Sequence, residues 1–420
     1  MKYILISGLK EAELLVEFGY KQYLIDRGHE VCFKLITNSN LSKNYERLSY
    51  LDRITRYLYF VEKSRYIFSY YHAVFERISL SNPIHLILNQ YIGRFLRNNP
   101  KATINIRHAI EKIRVYITAY KFNKNKDGDI YVFFNIISTK IELDHFYEAV
   151  YFNKRRVLIQ TYWDNITSKI YIPSQEFDNV ICWGDESIKN YLEVNKFSKS
   201  KFSLAFPYRC NYLKSVINND NRNLILYAPS QKKLSSDIDN LNTLERVVTK
   251  LNSQGGAQYS VIYRPHPYSS SKDLPCLKNF KNITIDSAFQ NLNTKDTPFA
   301  NHKYFNENSY ASLIDNLNKT CCLLSQAGTL CLEARALSIN VFVLLNEPYQ
   351  VTLRFSQYMT HFNDLFSDPG VYPIYSQNQL EIKLLSLNLS RKNLISDFVK
   401  NSLVFEPDLG KILEKVNHFK

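Results

Sequence analysis

The sequence contains no G-x-G-x-x-G, no C-x-x-C pair and no Cys/His cluster at metal-ligand spacing. The first absence removes the dinucleotide fingerprint. The others leave the seven cysteines as an odd-numbered set of reduced, buried thiols, expected of a cytosolic protein. No run approaches the roughly 18 apolar residues that a membrane-spanning helix needs, and the apolar part of Met1-Lys-Tyr-Ile-Leu-Ile-Ser-Gly is too short for export. There is no low-complexity tract and no repeat of solenoid period. No RNP, KH or zinc pattern accompanies the net charge of +14, so a nucleic-acid-binding protein is the weakest reading of that charge.

What is present is a globular composition, 45% apolar and 22% charged over 420 residues, long enough for two domains. A strand at 3–7, a helix at 11–26 and a strand reaching Ile36 through Gly28 open a parallel α/β domain. Further strands are expected at 129–137, 156–161, 177–182 and 202–206. The polar stretch 218–223 sets the boundary, giving an N-terminal domain over 1–217 and a C-terminal domain over 218–385, with helices over 386–420. The second domain repeats the pattern, with strands at 224–227, 258–263, 282–286, 320–324 and 341–345 and helices at 239–252, 309–319 and 329–338. The fold class is therefore α/β, with a parallel sheet in each of two domains.

Residues 45–122 break the alternation. Leu48, Leu51, Ile54, Leu58 and Val61 recur at helical spacing, so the stretch is a helical insertion in the N-terminal domain. Residues 45–125 hold about fourteen Lys/Arg against five Asp/Glu. Two readings stay open: a solvated basic face, or a surface that meets anionic lipid headgroups.

Two stretches carry chemistry. Val261-Ile-Tyr-Arg264-Pro-His266-Pro267 ends an apolar strand in a cation and an imidazole, with prolines fixing the chain beyond it. Thr320-Cys-Cys-Leu-Leu-Ser325-Gln-Ala-Gly328-Thr329 runs from a strand through a small-residue turn into a helix. Such a turn aims backbone N–H groups and the positive end of the helix at one point. Ligands of open α/β sheets bind outside the carboxyl ends of strands. Arg264, His266, Ser325, Gly328 and Thr329 therefore form a candidate pocket for a diphosphate-bearing donor. A structural strand-end salt bridge is the competing reading of Arg264 and His266. Asp127-Gly128-Asp129 precedes its strand and reads as a turn, not a metal-holding D-x-D. Asp237 and Asp239 read as helix caps.

Trp163-Asp-Asn-Ile-Thr-Ser-Lys169, Val180-Ile-Cys-Trp-Gly184, Arg264-Pro-His-Pro267, Ser325-Gln-Ala-Gly-Thr329 with Glu333-Ala334, and Gln357 followed by His361-Phe362 occur in an order that resembles bacterial surface-carbohydrate (capsule and lipopolysaccharide) glycosyltransferases of GT-B type, related to CDP-glycerol glycerophosphotransferase-like enzymes. The resemblance spans about 130–385. It departs at Ile170 and at Ala205-Phe206, where the family carries glycines, and the helical insertion has no counterpart.

The resemblance implies two Rossmann-like domains facing across a cleft (GT-B type), with the nucleotide donor held by the C-terminal one. With no metal-holding D-x-D, no cofactor or metal is expected beyond the nucleotide-sugar co-substrate. It suggests that Glu333 bonds ribose hydroxyls; a carboxylate stabilising its own helix is the alternative. Asp164 is the candidate general base, with an Asx-turn cap as the alternative, and His266 the second catalytic candidate. Trp163, Asn165, Thr167, Ser168, Lys169, Gln357 and His361 are candidates to line the cleft. The expected partners are a nucleotide-sugar donor, a glycan or lipid-linked acceptor and an anionic membrane surface, with no nucleic acid. The expected location is cytoplasmic, peripheral on the inner face of the membrane. A polyol-phosphate transferase and a nucleotide-sugar epimerase are the competing enzymes.

Overall fold

The computed structural model describes the chain except residues 9–11, 13–14, 17–18, 37–49, 64–93, 97, 122–127, 135–139, 162–172, 174–176, 196–201, 218–221, 230–236, 256–257, 266–276, 291–306, 327, 346–363, 387–394 and 416–420. Two compact units divide it: Met1–Arg209 with Asn401–Lys420, and Cys210–Lys400.

In the first unit six strands, β1 (Lys2–Gly8), β2 (Glu30–Ile36), β3 (Ile130–Phe134), β4 (Arg155–Ile159), β5 (Asn179–Cys182) and β6 (Phe202–Leu204), form one sheet of order β2-β1-β3-β4-β5-β6. Every pairing is parallel. Strands such as Ile130-Tyr-Val-Phe-Phe134 are apolar at each position because helices cover both faces of such a sheet. Helices α1 (Tyr20–Ile25), α4 (Lys140–Tyr151) and α5 (Asp185–Asn195) belong to this frame. Gly28, at φ 76°, takes the left-handed conformation that ends the turn after α1. Ile4, Ile6, Tyr131, Phe133, Leu158 and Val180 centre the core.

Between β2 and β3 the expected helical insertion appears as α2 (Tyr50–Lys63) and α3 (Pro100–Lys121), joined by a small apolar cluster of Leu58, Val61 and Leu96. Pro100 stands at the first position of α3, where its missing N–H costs nothing.

The second unit repeats the design with β7 (Leu224–Ala228), β8 (Ser260–Tyr263), β9 (Ile283–Ile285), β10 (Thr320–Ser325), β11 (Asn340–Leu344) and β12 (Val371–Ile374), all parallel, in the order β12-β11-β10-β7-β8-β9. Its helices are α6 (Asp237–Ser253), α7 (Ser287–Gln290), α8 (Glu307–Lys319), α9 (Thr329–Ala336) and α10 (Gln377–Ser386). Within α11 (Asp397–Ser402), at Asn401, the chain returns to the first unit, which also holds α12 (Leu409–Lys415).

Two points of organisation differ from the sequence reading. The units part between Arg209 and Cys210, not at 217/218, because the 3₁₀ segment Tyr208–Ser215 places Cys210 and Tyr212 against Glu333 of the second unit. Residues 386–420 are not a separate helical block, because 401–420 pack on the first unit. The Val404 amide donates to the Trp183 carbonyl at 2.7 Å and the Phe206 amide to the Pro407 carbonyl at 2.8 Å. Gly184 marks that approach: a Cβ there would lie 2.0 Å from the Asn401 carbonyl oxygen.

Candidate functional site

In the second sheet β7 and β10 are neighbours, and the chain leaves them in opposite directions, β7 toward β8 and β9, β10 toward β11 and β12. That is a topological switch point, where open α/β sheets leave a crevice beyond the strand ends. Ser325 is in register with Ala228 there, and its Oγ donates to the Ala228 carbonyl at 2.6 Å, tying the two strand ends together. Ser325 is buried, so its hydroxyl holds the crevice floor.

Three residues beyond Ser325, Gly328 is the N-cap of α9, with φ −174° and ψ 175°. This is extended backbone open to any residue, so conformation does not demand glycine. Nor does packing: the nearest atom to a Cβ would be the Gln326 carbonyl oxygen at 3.9 Å. What glycine provides is space beside the first turn of a helix that carries no acidic residue in that turn. Thr329 stands at its start, half-buried. A helix N-terminus at a switch point suits an anionic group.

Arg264 follows the last residue of β8, its amide donating to the Tyr227 carbonyl at 2.8 Å, so it does sit at a strand's carboxyl end. Its guanidinium is buried and pairs through Nη1 with Oδ2 of Asp286, the residue after β9. The Asp286 carboxylate also accepts from Asn316 Nδ2 and the Ala288 amide, each at 2.9 Å, and from the Ser312 hydroxyl. The Phe289 ring lies 5.6 Å from the guanidinium carbon. Arg264 is thus a strut between two strand ends, the geometry of the salt-bridge reading. Asp286, which the sequence reading did not single out, is its anchor. An aspartate one residue past a short strand was the only signal for it.

Glu333 faces the 3₁₀ segment: Tyr212 Oη donates to its Oε2 at 2.6 Å and Cys210 Sγ to its Oε1 at 3.2 Å. Burial, then the charge of Glu333, pushes the Tyr212 phenol well up, so it stays a donor. The carboxylate therefore joins α9 to the start of the second unit. Cys331, buried in the same helix, has its thiol pushed up to about 12 by burial and is held neutral.

Under the neighbouring strand ends, Asp237, at the start of α6, accepts from the Tyr227 and Tyr263 hydroxyls, the latter at 3.0 Å. Asn240 Nδ2 donates to Tyr227 Oη at 3.0 Å. Asp237, expected as a helix cap, clamps two adjacent strands, which sequence spacing does not reveal.

His266, Asp164, Trp163, Asn165, Thr167, Ser168, Lys169, Gln357 and His361 lie outside the described residues. The strand leading to 162–172 is described. At its end Gln160 is buried, receives the Trp183 amide on Oε1 at 3.1 Å and the Trp183 indole N–H on its carbonyl at 2.8 Å. The Val180–Gly184 motif is accordingly a packing element of the first unit.

No family model matches the sequence, and no curated protein matches it. Among solved structures, the UDP-GlcNAc 2-epimerase from Methanocaldococcus jannaschii is similar over 100% of both chains, with a TM-score of 0.51 at 11% identity. A UDP-GlcNAc 2-epimerase from Neisseria meningitidis bound to UDP-GlcNAc matches over 100% of both chains at 11% identity with a TM-score of 0.48. The wall teichoic acid polymerase TagF matches over 73% of this chain and 83% of its own at 16% identity, with a TM-score of 0.37. The first of these shows the fold: the chain has the two-domain architecture of GT-B type, one Rossmann-like sheet in each unit.

Proposed function

We propose that the protein is a glycosyltransferase that moves a sugar from a nucleotide-activated donor to a cell-surface glycan or lipid-linked acceptor at an anionic membrane. The observation that carries the proposal is the β7/β10 switch point, closed by the Ser325–Ala228 bond and followed by the open-sided N-terminus of α9 at Gly328 and Thr329. The donor diphosphate is assigned to that N-terminus.

In the reaction the bond between the sugar's anomeric carbon and the leaving phosphate oxygen breaks, and the electron pair goes to the phosphate. The α9 first turn, Thr329 and His266 offset the negative charge that develops there, and Arg264 holds in place the strand end from which the His266 segment leaves. Asp164 takes the proton of the acceptor hydroxyl as its oxygen bonds to the anomeric carbon. Each preorganised donor to such a charge is worth about 2.7–4 kcal/mol of barrier. Glu333 is assigned to the ribose hydroxyls when donor is bound, in exchange for its bond from Tyr212, and Trp163, Asn165, Thr167, Ser168, Lys169, Gln357 and His361 to the acceptor side. The reaction takes no cofactor or metal beyond the co-substrate.

The full-length fold match favours one second reading, a nucleotide-sugar epimerase that acts on the donor alone. A CDP-glycerol-type polyol-phosphate transferase is the variant in which the group transferred carries the phosphate. A thermal-shift panel of CMP-, CDP-, UDP- and GDP-linked donors identifies the nucleotide, and turnover of the best donor is then followed with and without membrane-derived acceptor. Nucleotide release that requires acceptor supports transfer. An isomerised sugar formed without acceptor refutes it in favour of the epimerase, and no donor stabilising the fold refutes both.

A further inference from the structure

The helix α3 (Pro100–Lys121) is inverted with respect to an ordinary surface helix. Arg107, Glu111, Arg114 and Thr118, which share one face, are buried. Arg114 bonds Asp52 of α2 (Nε to Oδ1, 2.8 Å), Asp144 of α4 and the Thr118 hydroxyl (2.7 Å), and Arg107 bonds Glu62 of α2 (2.8 Å) and Glu111 (3.4 Å). The side about 100° around the helix carries exposed apolar residues. Ile106, Ile113 and Ile117, spaced i, i+7, i+11, are 44%, 52% and 40% exposed, and Tyr116 beside them is 70% exposed. A second strip with the same spacing, Lys101, His108 and Lys112, lies about 140° from the isoleucines, beyond Tyr116, and is also exposed. Single exposed apolar residues are ordinary. A strip of three isoleucines with a tyrosine beside it, on a helix that has buried both of its arginines, is not, and such strips mark interaction surfaces.

We infer that this face of α3 is a membrane-binding surface, in which Ile106, Ile113, Tyr116 and Ile117 enter the headgroup–acyl boundary of an anionic leaflet while Lys101 and Lys112 meet lipid phosphates. Charge complementarity selects the occupant. The only carboxylate of α3, Glu111, is turned inward to Arg107, so every charged side chain described on the outward side is a cation. A second copy of the chain would bring cationic strips together with no carboxylate of this helix to offset them. An apolar strip on one flank of the exposed side and a lysine strip on the other, in a helix of about 33 Å, match a helix lying in the plane of a bilayer. Arg107 and Arg114 are excluded from headgroup contact by their buried pairs. The insertion's charge count therefore overstates its electrostatic attraction, and apolar insertion supplies the rest.

The inference deepens the membrane part of the reading above and is independent of its chemistry, since lipid binding needs neither donor nor acceptor. The test is co-sedimentation of the full chain with vesicles of phosphatidylcholine alone, or with about one-third phosphatidylglycerol, at low and high salt. Wild type is expected to bind the anionic vesicles at least about tenfold tighter than the neutral ones, with a portion that persists at high salt. The triple change Ile113→Ser, Tyr116→Ser, Ile117→Ser should remove the salt-resistant portion, and Lys101→Gln with Lys112→Gln the salt-sensitive portion. Ile382→Ser, at an exposed isoleucine of the other unit, should change neither. All positions lie on the surface, and unchanged circular dichroism confirms folding. Wild-type binding by the triple variant overturns the inference, as does equal binding to both vesicle types or none to either. So does a lipid-free dimer that the triple change dissolves, which would assign the face to a second copy.

Discussion

Replacing Asp286 by alanine separates the strut from the phosphate ligand in Arg264. The change leaves a guanidinium that is about nine-tenths buried facing three stranded donors, Asn316 Nδ2, the Ser312 hydroxyl and the Ala288 amide. Removing one partner of a buried ion pair costs about 3–5 kcal/mol. At a urea slope of about 2 kcal/mol/M, the midpoint falls by about 1.5–2.5 M. Arg264→Ala should cost less, because Asp286 keeps those three donors. The double variant should cost less than the two single changes together, since the one pair is then lost once and not twice. Both tryptophans, Trp163 and Trp183, belong to the first unit, so tryptophan fluorescence follows that unit while circular dichroism follows both. The shift should appear in circular dichroism as a step belonging to the second unit. A midpoint within about 0.3 M of wild type for Asp286→Ala would refute the buried pair. An Arg264→Ala variant that is nearly as stable as wild type but does not respond to donor would return Arg264 to direct phosphate contact.

Four other outcomes are expected. His266→Ala should lower turnover by about 100-fold or more with the fold intact, and full activity in a folded variant would remove His266 from the chemistry; activity should also survive EDTA, and loss restored by Mg²⁺ would overturn the metal-independent reading. Gly370→Ala should destabilise the second unit by about 1–3 kcal/mol, because its Cβ would lie 2.3 Å from Cζ of Arg335, which is itself fixed by a buried bond to Asp368 at 2.6 Å; equal thermal stability would mean that Arg335 can move aside. For Asp368, burial raises the carboxyl pKa, but amide and hydroxyl bonds from Ser396, the Gly370 amide and the Arg335 charge outweigh it and leave it below its ordinary value. Its stabilising contribution is then complete above the usual carboxylate range and is lost as pH falls through the depressed folded value, so Asp368→Asn should flatten that part of the acid-unfolding curve.

Much of the fold was legible because both sheets are parallel. Strands buried on two faces read as short unbroken apolar runs, and Ile130–Phe134, Leu224–Ala228 and Asn340–Leu344 announce themselves that way. Val371-Tyr-Pro-Ile374 did not, since proline in a four-residue run argues against a strand anywhere but at a sheet edge, and that is where β12 lies. The return of 401–420 to the first unit was hidden for a different reason. It rests on backbone bonds to Trp183 and Phe206 and on the absent side chain of Gly184, none of which leaves a periodic trace. At the site, the turn from Ser325 to Thr329 was visible as small residues between a strand and a helix. The role of Arg264 turned on Asp286, twenty-two residues away and brought beside it only by the β8/β9 register.

The insertion carries the same lesson to its sharpest point. By composition it is a cationic helical stretch, and composition alone assigns each Lys and Arg equal standing toward an anionic partner. Packing divides them. Arg107 and Arg114 are drawn inward because α2 and α4 offer the carboxylates Asp52, Glu62 and Asp144 as partners. Those pairs fix the rotation of α3 about its own axis. Once the arginines face in, helical geometry leaves Ile106, Ile113 and Ile117, one residue before Arg107, Arg114 and Thr118, about 100° around the helix and in the open. The apolar strip is thus a consequence of the ionic core. Neutralising Asp52 or Asp144 should therefore weaken vesicle binding through the orientation of α3, although neither residue touches lipid.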